Sequence, residues 1–210
     1  MPIYSVPSQD EELFRVFWNS GFHSDEELWP GETRAVCVCY GETFTEIRKF
    51  KNIPTEEHAE ELIIEHLMLY GTKRKFKIKL FINYSPCESC SSLLYDFLTT
   101  HDNFQIRLYV SALYNINRKS CEGHDHSKIP KNISKECEAN LVCLKKSFKG
   151  KLKIKTFDKD VWAELTETLT FAATPPITDT VKFYYNRRLE FGRTREQEDE
   201  KMEDDFKLIK

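Results

Sequence analysis

The sequence predicts an α/β domain in which a mixed sheet of five strands is covered by helices. Three observations predict it. An amphipathic helix comes first, a β-hairpin follows it, and helical and strand patterns then alternate as far as residue 172. A length of 210 residues suits one domain with a sizeable core.

The elements follow in chain order. Ser8-Gln9-Asp10-Glu11 reads as a capping box opening a helix through Leu13, Phe14, Phe17 and Trp18. Arg34–Tyr40 is a Val- and Cys-rich strand, Gly41-Glu42 a turn, and Phe44–Phe50 the returning strand. Pro54-Thr55-Glu56-Glu57 precedes a helix from His58 whose buried surface is Leu62, Ile63, Leu67 and Leu69. Phe76–Tyr84 is a third strand. Ser85 as N-cap, Pro86 at the first helical position and Glu88 three residues after the cap predict the next helix, with Leu93, Leu94, Phe97 and Leu98 inward. Ile106, Leu108 and Val110 alternate in a fourth strand, and residues 115–133 read as a long polar loop. A helix is expected near 134–147, a fifth strand over Leu152–Phe157 and a helix over Asp158–Ala172 with Trp162, Leu165 and Leu169 inward. Pro175-Pro176 breaks the chain before a last helix near 179–190.

Two short blocks carry chemistry. His58-Ala59-Glu60 is followed, after twenty-five residues, by Pro86-Cys87-Glu88-Ser89-Cys90. One His and two Cys can bind zinc and leave its fourth position to water, while an adjacent carboxylate moves the proton. Taken singly, the His suits a capping residue, and Cys-x-x-Cys suits a redox pair or half of a structural zinc site. Their combination and order match H-x-E…P-C-x-x-C, the general signature of zinc nucleobase deaminases. A closed structural zinc site takes a fourth protein ligand, and the two blocks supply three. Both half-sites fall at helix starts, where the positive helix end favours the thiolate that binds metal.

Composition bounds the rest. The N-terminus has neither a basic start nor an apolar run, so no signal peptide is expected, and no stretch approaches a membrane span. Seven cysteines leave an odd remainder after the zinc pair, which points to a reducing, intracellular setting, cytoplasmic or nuclear. Cys37 and Cys39 read as small buried residues, and the sequon at Asn132-Ile133-Ser134 as unused. Net charge is −3, of which residues 196–210 supply −4, so that segment reads as a solvated acidic tail or a frayed helix with few groups to anchor it. Basic residues cluster at Lys73-Arg74-Lys75, between Lys145 and Lys155, and at Arg187-Arg188; they suit solvated faces or a phosphate-tracking surface. Cys121, His124, His126 and Cys137 have a spacing compatible with a second zinc site, though a polar loop with unrelated residues is the preferred reading.

Asn83-Tyr84-Ser85-Pro86-Cys87-Glu88-Ser89-Cys90 resembles the Ser/Thr-Trp-Ser-Pro-Cys-x-x-Cys motif of the AID/APOBEC polynucleotide cytidine deaminases. Ser111-Ala112-Leu113-Tyr114 is similar to the Ala-Arg-Leu-Tyr segment that opens that family's specificity loop. Phe157-Asp158-Lys159-Asp160 resembles the Phe-Lys-Asp segment after its fifth strand, and Glu32-Thr33-Arg34 before Cys39-Tyr40 its first-loop edge. The resemblance covers roughly residues 8–190, with the domain assigned to 1–195 and the acidic tail to 196–210. It implies a single-domain cytidine deaminase-like fold, a five-stranded mixed sheet sandwiched by about six helices. It implies zinc held by His58, Cys87 and Cys90, proton transfer by Glu60, and hydrolytic deamination of cytosine in single-stranded DNA or RNA, as in nucleic-acid editing or antiviral defence. Asn52, Thr33, Tyr84, Ser85 and Tyr114 would then contact substrate.

Two departures keep other functions in view. Tyr84 stands where the family has Trp, and Ala112 where it has Arg. A near-neutral core also weakens the field that draws in single strands. The alternatives are a catalytically weak, zinc-stabilised nucleic-acid- or protein-binding member of the fold, and a free nucleoside or nucleotide deaminase. The helices after Leu152–Phe157 count against the last.

Overall fold

The computed structural model describes residues 9–20, 31–52, 57–118, 129–172 and 194–209. Five strands, β1 (Arg34–Tyr40), β2 (Thr45–Lys51), β3 (Phe76–Tyr84), β4 (Phe104–Ala112) and β5 (Leu152–Thr156), form one sheet in the order β2-β1-β3-β4-β5. β1 is antiparallel to both β2 and β3, whereas β3, β4 and β5 run parallel. Among the described residues there are six helices: α1 (Gln9–Asn19), α2 (Ala59–Met68), α3 (Glu88–Thr100), α4 (Lys131–Ser147), α5 (Lys159–Ala172) and α6 (Arg195–Leu208). None is long and apolar enough to cross a membrane.

The period-two alternation of the strands divides the core into two layers. Ala35, Cys37, Cys39, Ile78, Leu80, Ile82, Ile106, Leu108 and Val110 face α2, α3 and α4. Val36, Val38, Phe81 and Tyr109 face α1 and α5, where Phe14, Trp18, Phe157 and Trp162 pack edge and face. Both cysteines of β1 are buried, and burial pushes Cys37 up to about 12 and Cys39 to about 11, so both stay thiols.

Leu69, expected on the buried surface of α2, lies just beyond its end and is 80% exposed. Three further expectations are corrected. Helix α3 starts at Glu88 with Cys87, not Ser85, at its N-cap. Ser85 donates its N–H to the Ala112 carbonyl at 2.8 Å, which prolongs the parallel β3–β4 pairing and keeps the chain extended through Pro86. Helix α4 starts at Lys131, three residues earlier than expected, and the segment before it is not simply polar: Ile116 and Arg118 are buried. Ser134 of the sequon is buried too, its hydroxyl accepting the Asn117 N–H at 2.8 Å.

The third correction concerns the acidic C-terminus, which is a packed helix and not a solvated tail. Arg195, Glu198, Asp199, Met202, Asp205 and Phe206 of α6 are buried. Thr194 caps it, accepting from the Gln197 N–H at 3.3 Å. Arg195 donates to the carbonyls of Trp18, Ser20 and Ser111, and Asp199 accepts from the Trp162 indole N–H at 2.6 Å. Charged residues can be buried here because each meets an opposite charge or a backbone acceptor. Ser8, Pro54-Thr55-Glu56, Cys121, His124, His126, Pro175-Pro176, Arg187-Arg188 and the helix expected near 179–190 lie outside the described residues.

Candidate metal and nucleotide site

The C-terminal end of β3 and the starts of α2 and α3 converge. His58 is the N-cap of α2 and Cys87 the N-cap of α3. The Glu61 carboxylate accepts the His58 N–H at 2.6 Å, which fixes the start of α2 from within. One turn into α3, Cys90 is buried beneath Cys87.

His58 Nδ1 lies 3.0 Å from Cys90 Sγ and 3.4 Å from Cys87 Sγ. All three donor atoms fall within 4.8 Å of one another. Zinc–nitrogen and zinc–sulfur bonds at a tetrahedral angle would set nitrogen and sulfur about 3.5 Å apart, so the group is compact enough to close on one ion. Imidazole and thiolate are also the donor types that suit zinc. Among the described residues this is the one such group of three or more potential ligands.

The electrostatics follow from burial and proximity. The Cys90 thiol hydrogen-bonds Cys87 and holds it down to about 4, so one thiolate stands ready beside the imidazole. The same contact, followed by burial and the charge of Glu60, pushes Cys90 upward. Glu60, in the first turn of α2, is 4% exposed. Burial raises its carboxyl to about 7, against a hydrogen bond from its own backbone that favours the charged form.

The aromatic pair stands at the same end of the sheet. Tyr84, the last residue of β3, is buried, and Tyr114 beyond β4 is 38% exposed. Their rings meet edge to face with centroids 6.0 Å apart. Ser85 orients Tyr114 by accepting its N–H at 2.9 Å. Asn115 follows in the left-handed region (φ 49°), which turns the chain away from the strand; Asn is among the residues that tolerate it. A cavity of about 350 Å³ opens here, lined among others by Cys87, Glu88, Tyr114, Asn115, Glu136 and Cys137.

Thr33 and Asn52 meet as a reciprocal pair. The Thr33 N–H donates to Asn52 Oδ1 at 2.8 Å, and the Asn52 N–H to the Thr33 carbonyl at 3.0 Å. The structure thus places these two together at the open end of the β1–β2 hairpin.

Sequence reasoning gave no site role to Asn83 or Glu136, and set Cys137 only in a cluster with Cys121, His124 and His126. Asn83, fully buried, accepts the Arg34 N–H at 2.7 Å and donates to the Glu32 carbonyl and Ser20 hydroxyl, tying the segment before β1 to the residue preceding Tyr84. An Asn inside a strand run is itself a signal, because a buried amide must find partners. Glu136 and Cys137 reach the cavity from α4. They lie in adjacent positions of a helix whose packing against α3 no local pattern reveals.

A family model described as APOBEC3, cytosine deaminase domain, matches residues 35–157, from β1 through both half-sites to the end of β5. The chain belongs to this family. Human "DNA dC->dU-editing enzyme APOBEC-3H" is 27% identical over 109 residues, which are 49% of this chain and 53% of that protein. The macaque (Macaca mulatta) protein of the same name is 28% identical over 109 residues, 49% of this chain and 50% of its own. Rat "DNA dC->dU-editing enzyme APOBEC3" is 36% identical over 50 residues, 24% of this chain and 12% of that protein. The matched stretch thus spans about half the length of the human and macaque relatives.

Proposed function

We propose that this chain is a zinc-dependent deaminase that hydrolyses cytosine to uracil in single-stranded DNA. The observation that carries the reading is the His58–Cys87–Cys90 group with buried Glu60 beside it. The printed names of the relatives, DNA dC->dU-editing enzymes, supply the substrate class.

His58, Cys87 and Cys90 would hold zinc, which would supply water of lowered pKa. Glu60 accepts a proton from the water that attacks C4 of cytosine and delivers it to the amine that leaves as ammonia. Burial suits Glu60 to this exchange by lifting it to about 7, near the pH at which it must both take and give a proton; the charge of a bound metal acts in the opposite sense. Tyr84 and Tyr114 form the aromatic wall on which the base, unstacked from its strand, would rest. Ser85 sets the position of Tyr114 through its backbone. Thr33 and Asn52 hold each other as the polar rim for the sugar. The odd count of seven cysteines favours a reducing, intracellular compartment.

The test is uracil formation in a single-stranded oligonucleotide with one cytosine, by zinc-loaded protein and its Glu60→Gln variant. Turnover by the parent alone is expected. Zinc-loaded parent that makes no uracil but binds the strand would leave a binding role instead.

A further inference from the structure

Strand parity puts Lys77, Lys79, Gln105, Arg107, Lys153 and Lys155 on one face of the sheet. It is the face that carries Phe81, Tyr109 and Phe157 further along the same chain segments. Those three aromatic residues are buried with α1 and α5. Lys77, Gln105, Arg107, Lys153 and Lys155 are exposed. Two basic clusters some eighty positions apart in the sequence are therefore brought side by side.

The register makes the arrangement unusual. Lys79 is directly paired with Arg107, and Arg107 with Lys153, so three cations stand in a row across three strands. Like charges directly opposite cost stability. Glu164 of α5 pairs with Lys79, and Asp102 with Lys151 at the margin. Among the described residues no ion pair reaches Lys77, Arg107, Lys153 or Lys155. Exposed Lys73, Arg74 and Lys75 lead into β3 at the same end, where Asn103 Nδ2 donates to the Arg74 carbonyl.

We propose that this bare sheet face is a second nucleic-acid site, holding the phosphate backbone of a single strand away from the zinc-ligand group. The cations sit about 4.8 Å apart across strands and about 6.7 Å apart along them, a lattice that several successive phosphates can contact at once. The patch has no apolar centre, which a protein partner would need, and no apolar residue to enter a bilayer. The metal-ligand group lies at the other end of β3, about 23 Å along the strand from Lys77. A strand long enough to reach both sites would be retained between encounters of its cytosines with the zinc site.

The experiment measures equilibrium binding of the full chain to a labelled thymine-only single strand of thirty nucleotides, as salt is varied. Arg107→Gln/Lys153→Gln/Lys155→Gln is compared with the parent. The expected result is about tenfold weaker binding near 0.1 M salt and a salt slope reduced by about 2, at about 0.7 per lost phosphate contact. Turnover of a three-nucleotide substrate should stay within about twofold, because a strand of about 10 Å, at about 3.4 Å per nucleotide, does not span both sites. The melting temperature should hold or rise, because a row of like charges has been removed. Unchanged affinity and salt slope would overturn the proposal. So would loss of binding to anionic phosphatidylserine vesicles with none toward the strand. The probe contains no cytosine, so an inactive protein would sink the deaminase reading and leave this measurement intact.

Discussion

Arg118 and Glu198 form a buried ion pair at 2.6 Å across eighty positions of sequence, their side chains 3% and 1% exposed. The same guanidinium donates to Asp205 at 2.8 Å. The segment leaving β4 is thereby pinned at three places: Tyr114 to Ser85, Asn117 to Ser134 of α4, and Arg118 to α6. The acidic helix thus fixes the far end of the segment whose near end carries the exposed aromatic residue.

Removing that pin should be costly. Arg118→Ala withdraws the cation faced by two buried carboxylates, and breaking a buried pair from one side typically costs about 3–5 kcal/mol. Arg118→Lys should recover only part of it, because one ammonium cannot reproduce the guanidinium fork that serves both acids. Urea unfolding of the three proteins checks this. A loss below about 1 kcal/mol in Arg118→Ala would show that the pair does not hold α6.

Glu60 and the metal ligands should separate in a paired measurement. Glu60→Gln removes the proton carrier but no metal donor, so it should lower turnover by about 10²–10⁴-fold while zinc content stays near one per chain. Cys87→Ala removes a donor and should lose zinc and thermal stability together. Metal analysis beside the uracil assay reads both. Parent-rate turnover by Glu60→Gln would remove Glu60 from the mechanism.

The sequence was most legible where one local pattern decides the outcome. β1 and β3 have the bounds expected from alternation and apolar content, Arg34–Tyr40 and Phe76–Tyr84. The two half-sites were visible because each is carried by a short motif at a helix start. Ser85 misled because Ser-Pro-x-Glu satisfies a capping rule, while a tertiary bond to Ala112 decides the backbone. The packing of helix α6 was hidden for a related reason. Its buried positions 195, 198, 199, 202, 205 and 206 have helical spacing, but four of the six are charged, so no apolar stripe marks them. Arg195 and Asp199 pair within the helix, but their further partners and those of Glu198 and Asp205, namely Arg118, the Trp162 indole and the backbone around Trp18 and Ser20, are remote in sequence.

Tyr114 tests the aromatic wall. Its ring is partly exposed against buried Tyr84, so it can pack and still offer an edge or face to a base. Tyr114→Ala should weaken oligonucleotide turnover by about 1–3 kcal/mol, with a small change in melting temperature. Tyr114→Phe keeps the ring and should retain most activity. Exchanging residues 114–118 should change preference for the base preceding the target. Equal loss of stability and activity in Tyr114→Ala, with context preference unchanged, would leave Tyr114 only a packing role.

The last prediction concerns pH and lies outside the metal site. The Tyr70 hydroxyl donates to Glu46, and His66 Nε2 lies 3.1 Å from the same hydroxyl. Tyr70's hydrogen bond is the largest influence on Glu46; together with the Arg48 guanidinium it outweighs burial and holds the carboxyl below its ordinary 4.5. A carboxylate depressed in the folded state contributes stability that is fully present above pH 4.5 and lost as pH falls through the folded-state value. Tyr70→Phe removes the donor while keeping the ring that packs on Phe44 and Phe76. It should therefore cost about 1.5 kcal/mol at pH 7, the worth of a hydrogen bond to a charged group. The difference between the two proteins should shrink as pH falls below 4.5, because a protonated Glu46 keeps only a neutral hydrogen bond to lose. Acid also strips metal from thiolates, but that loss is common to both proteins and cancels in their difference. Urea unfolding of each at pH 7 and in mild acid measures it. A difference that stays constant with pH would show that Tyr70 stabilises the fold by packing and not through the charge of Glu46.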